Sequence, residues 1–161
     1  MKKLTYVIPF LLLIISCTRY SGQPVMLKCE YDENPLGVDN PKPRFSWAMN
    51  DTIRLARQKA WQIMVATTAE KLTSGKPDMW DSHMVRSDVS QFVPYDGKSL
   101  QSATRYYWKV RYWDRRGCVS AWSDIQWFET AFLKADDWKA DWIAAVKPND
   151  SRPPRSVLMR K

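Results

Sequence analysis

Histidine is nearly missing from this 161-residue chain, which carries one, His83. A single imidazole argues against a histidine-rich metal centre and makes a Ser-His-Asp triad hard to build. On a short strand it is expected to be partly exposed and ordinary. Glycine numbers only five and is dispersed, so no Gly-rich loop is available to cradle a phosphate. Three cysteines, Cys17, Cys29 and Cys118, are too few for a disulfide framework. Export would permit a bridge between Cys29 and Cys118, but nothing in the sequence requires one. The apolar run at residues 4–15 is too short to span a bilayer, which needs about 20 residues. Internal repeats and low-complexity segments are absent as well.

Apolar side chains make up 45% of the chain and aromatics 13%, enough for a compact core. Nine tryptophans must lie mostly in that core or at a packing surface, since so many exposed indoles would invite aggregation. The formal charge is +8, and a leader ending at residue 16 would remove Lys2 and Lys3 from it. The remaining surplus is spread along the chain. For an exported protein it reads as a basic solvated surface, with no nucleic-acid partner expected.

Lys2 and Lys3, the apolar run after them, and Ser16-Cys17 together match a secretory leader. The junction Ile14-Ile15-Ser16-Cys17 resembles the bacterial lipoprotein box, in which several acyl chains on one cysteine form a stable tether. The expectation is a lipoprotein signal peptide at 1–16, lipidation at Cys17, and a tether at 17–24. The protein would be exported and membrane-anchored, either periplasm-facing or at the cell surface.

The stretch at 104–114 organises the rest. Tyr106, Trp108, Val110 and Tyr112 alternate with Arg105, Tyr107, Lys109, Arg111 and Trp113, which is the pattern of a strand with one buried and one more polar face. Shorter strands are expected at 25–31, 44–49, 60–67, 79–85, 91–95 and 122–130. In the first of these, Val25, Leu27, Cys29 and Tyr31 should share a face. A single helical turn capped by Thr68 is expected at 68–72. Seven short strands between turn formers such as Asn34-Pro35, Asp96-Gly97 and Arg116-Gly117 argue for an all-β sandwich. The sandwich should occupy 25–132, and 133–161 reads as a connector followed by the start of another domain.

Leu100, Thr104, Tyr106, Trp108 and Val110 resemble the tyrosine-corner strand of a fibronectin type III domain, with Tyr106 as the corner residue. A narrower likeness is to the N-terminal module of bacterial α-L-rhamnosidases. It rests on Cys29-Glu30-Tyr31, Asn34 through Asp39, Pro43-Arg44-Phe45-Ser46-Trp47 and Gln58 through Ala66. Trp80-Asp81-Ser82, the 104–114 strand, Ser120-Ala-Trp-Ser123 and Trp138 through Ile143 complete it. The resemblance covers roughly 25–145. It implies a seven-stranded immunoglobulin/fibronectin type III-like sandwich serving a multidomain inverting glycoside hydrolase. That family's catalytic carboxylates lie on a later helical barrel, and no residue here matches them.

An inverting pair needs two carboxyls about 6.5–9.5 Å apart in an enclosing pocket. Asp78, Asp81, Asp88, Asp96, Asp114 and Asp124 are available, but mostly near turns, where aspartate bonds nearby backbone. No catalytic residue, metal or cofactor is assigned. Sequons at Asn50-Asp51-Thr52 and Asn149-Asp150-Ser151 are discounted behind a bacterial-type leader.

The face of Arg105, Tyr107, Lys109, Arg111 and Trp113 is the sharpest candidate, either a docking surface for a neighbouring domain or a sugar-contact platform. The expected function is that of a non-catalytic accessory module, partnered by the downstream domains of a parent hydrolase and by the membrane through Cys17. The alternative is a stand-alone carbohydrate-binding or adhesion module contacting a rhamnose-containing glycan.

Overall fold

The computed structural model describes residues 22–50 and 56–140. The expected leader, Cys17, most of the tether and the tail beyond residue 140 lie outside these, as do both sequons in part or whole.

Among the described residues seven strands form, one in each predicted stretch: β1 Pro24–Cys29, β2 Arg44–Met49, β3 Gln58–Ala66, β4 Trp80–Asp81, β5 Val93–Pro94, β6 Arg105–Asp114 and β7 Gln126–Glu129. They pair as two antiparallel sheets, β1-β2-β5 and β4-β3-β6-β7. This is the immunoglobulin-like sandwich that the strand pattern predicts. One helical turn, α1 Ala69–Thr73, follows β3. Thr68 stands at its N-terminus in extended conformation without a side-chain cap, so the expected capping bond is not made.

The core is aromatic because the inward positions of both sheets are. Phe45 and Trp47 from β2 meet Trp61, Ile63 and Val65 from β3, and Tyr106, Trp108 and Val110 from β6. Phe45 sits at the centre, 4.5 Å from the Trp108 ring and 5.9 Å from Phe128. Tyr106, Trp108, Val110 and Tyr112 are all buried, as their spacing requires. The Tyr106 hydroxyl accepts the Gln101 backbone N–H at 2.8 Å, which closes the corner before β6. At the predicted turn Asp96-Gly97 the glycine serves close packing, since a Cβ there would lie 2.6 Å from Trp80 Cβ.

One expectation at the first strand, that Tyr31 shares its buried face, fails for a local reason. Met26 has φ 52° and the β1–β2 register slips between Val25 and Lys28, a bulge that turns Met26 out to solvent. Glu30, at φ 54°, then ends the strand, so Tyr31 lies outside it and is exposed. Cys29 remains in the core as a free thiol, so the bridge to Cys118 is not formed. Burial pushes that thiol well above the ordinary range, and the neighbouring Glu30 charge adds to the shift.

Candidate functional surface

The outward side chains of β6 are mostly committed to partners within the chain. Lys109, expected on a polar face, is buried, and its Nζ donates to the Leu72 carbonyl at 2.6 Å. The cause is α1, which folds over this part of the sheet and buries Leu72 with Met64 and Ala66 in a second small core, against Tyr107, Trp122 and Ile125. Burial lowers the Lys109 ammonium from its usual value, and the nearby Arg111 adds to the shift.

Trp122 is the member of this face that strand spacing did not reveal. Its ring lies between two cations, with Lys109 Nζ at 4.7 Å and the Arg111 guanidinium at 4.5 Å. Arg111 also lies 5.0 Å from the Trp113 ring and donates to Gln62 Oε1 at 2.9 Å. Farther along, Arg105 covers Trp127 at 4.1 Å and pairs with Glu129 at 3.0 Å. Cations and indoles therefore stack down the face as a ladder in two sections.

Trp122 is held by the serines on either side. Ser120 Oγ accepts the Tyr112 N–H at 3.0 Å and Ser123 Oγ accepts the Val110 N–H at 3.1 Å. The Ser120 and Ser123 backbone N–H groups return to the Tyr112 and Val110 carbonyls. Side-chain oxygens thus continue the edge of β6 where β7 ends, which is why β7 is shorter than the predicted 122–130 strand. The available signal was Ser-x-x-Ser bracketing a tryptophan, opposite a row of alternating cations.

Four of the six candidate aspartates, Asp78, Asp81, Asp96 and Asp114, bond groups close by. Asp78 accepts Lys71 Nζ at 2.5 Å, Thr67 Oγ1 at 2.7 Å and the Thr67 N–H at 2.9 Å. Burial alone would raise its carboxyl, but these bonds hold it well below the usual carboxylate range. Asp81 accepts from Gln62 and the His83 N–H, Asp114 from the Cys118 N–H and Arg116, and Asp96 pairs with Lys42. His83 is largely exposed and 3.7 Å from Asp81. Among the described residues no cluster of His, Cys, Asp and Glu could hold a metal ion.

Outside the ladder, the exposed aromatics gather in two places. Tyr31 and Phe92 lie 5.5 Å apart, with Arg44 over both rings and tied to Glu30. Phe132 and Trp138, each 51% exposed, meet edge to face at 6.0 Å just beyond β7. This second pair is fixed by Ser102, whose Oγ accepts the Leu133 N–H and bonds the Asp137 carboxylate.

Residues 24–134 match the family described as Rha78A-like, N-terminal immunoglobulin domain. An alpha-L-rhamnosidase of Streptomyces avermitilis is 45% identical over 124 residues, which are 77% of this chain and 12% of the relative. One from Alteromonas sp. (strain LOR) is 38% identical over 146 residues, 87% of this chain and 16% of its own. Among solved structures, the Streptomyces avermitilis alpha-L-rhamnosidase complexed with L-rhamnose superposes with a TM-score of 0.74 at 43% identity, covering 78% of this chain and 12% of that one. The alpha-L-rhamnosidase from Dictyoglumus thermophilum gives a TM-score of 0.75 at 37% identity, covering 81% and 14%. The chain therefore spans only 12–16% of the length of these curated relatives.

Proposed function

The chain belongs to the family of Rha78A-like N-terminal immunoglobulin domains, and from that premise we propose that it is a non-catalytic accessory module of an α-L-rhamnosidase-type glycoside hydrolase. Its role is to dock against the domains that follow it and, through lipid on Cys17, to hold them at a membrane after export. The parent would release terminal L-rhamnose from glycans or glycosides.

The observation that carries this reading is the Phe132–Trp138 pair. In a family placed at the N-terminus, the remainder of each relative follows the matched part, so the next domain emerges beside these two half-exposed rings. Large aromatics of this kind anchor protein interfaces. The ladder on β6 supports the same reading from the other side. Its cations are already held in place by indole, carbonyl, amide and carboxylate partners within the chain. No separate observation favours a free-standing carbohydrate-binding module.

The test begins with the DNA beyond codon 161, which should encode the remaining domains of a rhamnosidase. Co-expressed with that product, the chain should co-purify, and Phe132→Ser with Trp138→Ser should weaken the complex at least tenfold, by roughly the worth of one interface hot spot. The chain alone should release no chromophore from an aryl α-L-rhamnoside. Measurable turnover, or a complex indifferent to both substitutions, would overturn the reading.

A further inference from the structure

The two ends of the sandwich differ in charge and in what leaves them. Gly22, the first described residue, accepts the Ala121 N–H, and Pro24 pairs with Met49. Gln58 pairs with Asp114 at the same end, where the turn Arg115–Cys118 closes β6. The segment leading back to Cys17 therefore departs from the end that carries Arg57, Lys59, Arg86 and Arg115. All four are exposed, and none has an ion pair among the described residues. They line two adjoining depressions of about 630 and 520 Å³ that share Lys59 and Arg86. Among the described residues Asp88 is the only acid lining either, and the second has walls of Met84 and Trp113. Met84 is half exposed, as is Val89 nearby, whose carbonyl accepts Gln58 Nε2.

We infer that this basic end is a membrane-facing surface that seats anionic lipid headgroups, using Arg57, Lys59, Arg86 and Arg115 as the charges and Met84 and Trp113 as apolar contacts. Unpaired cations around shallow open depressions suit a layer of phosphates better than an enclosed ligand. Apolar and indole side chains among them suit the headgroup boundary. The end is also the one from which the expected anchor departs, so tethering would bring these charges within a Debye length of the bilayer. Lipid plus a basic patch is a two-signal attachment, with each cation adding roughly fivefold to the affinity. The inference rests on the export reading above, but its test does not require Cys17 to carry lipid.

The test uses the chain from residue 17 to 161 with Cys17→Ser, which contains every strand of both sheets and no acyl group. Co-sedimentation compares vesicles of phosphatidylcholine with vesicles containing phosphatidylglycerol. Binding to the anionic vesicles should be at least tenfold tighter and should collapse near about 0.5 M salt. Arg57→Gln, Arg86→Gln and Arg115→Gln together should remove most of that preference. A matched triple at the opposite end, Lys42→Gln, Lys98→Gln and Lys134→Gln, removes equal charge and should keep it. Circular dichroism confirms that both triples are folded. Equal loss in the two triples, no preference for anionic vesicles, or binding to soluble polyuronate in place of vesicles would overturn the inference. Failure of the anchor itself is read separately, by the mass of the N-terminal peptide from bacterial membranes.

Discussion

Tyr106 concentrates the logic of this fold in one side chain. Its ring stacks on Phe128 at 5.6 Å, and its hydroxyl accepts the Gln101 N–H, so the ring cannot shift without losing a buried bond. Tyr106→Phe should keep the packing and leave that N–H unsatisfied, costing about 1–2 kcal/mol. The urea midpoint should fall while the slope of the transition stays the same. The corner was legible because a Leu, a Thr and a Tyr stand at fixed spacing before a strand. Met26 and Glu30 were not legible. Both adopt a left-handed backbone that ordinary residues rarely take, and no glycine or asparagine marks the place. The left-handed turn at Glu30 reversed the exposure expected of Tyr31, while Leu27 and Cys29 stay buried as their alternation implied.

At the scale of elements, the outer face of β6 depends on neighbours that carry no strand signal. Trp122→Ala would remove the ring between Lys109 and Arg111 and open the small core under α1. The expected cost is about 2–3 kcal/mol, with a loss of near-ultraviolet dichroism. Rhamnose titration of the same variant should match wild type if the face is a ladder and not a sugar platform.

A second latch joins α1 to the end of β3 through Asp78, Thr67 and Lys71. The Asp78 carboxyl is depressed in the folded chain, so its contribution is complete above the unfolded value near 3.9 and is lost as pH falls below it. Asp78→Asn should therefore cost about 1–2 kcal/mol at neutral pH. In thermal melts the gap to wild type should close as pH drops below about 4. Alternation in the sequence identified the two faces of β6 correctly. It could not show that a five-residue helix would cover one of them, because that contact depends on a loop closing back across the sheet.

Across the whole molecule, the seven-strand count and the aromatic inner faces followed from period-two patterning, since each strand has one side that must leave water. The charge distribution did not, because Arg57, Lys59, Arg86 and Arg115 are scattered in sequence and meet only where three connections converge at one end. That end also releases the N-terminal segment, whereas Phe132 and Trp138 lie beyond β7 at the other, separated by the ten residues of β6, or about 30 Å. This arrangement governs how the module would carry tension. A pull between an anchored N-terminus and a bulky C-terminal cargo draws β1 and β7 along their own axes in opposite directions. Their ladder bonds to β2 and β6 lie across that pull, so the rungs of each ladder are loaded together in shear and not unzipped one at a time. The sandwich would act as a stiff link, giving way only when a whole strand slides against its neighbour.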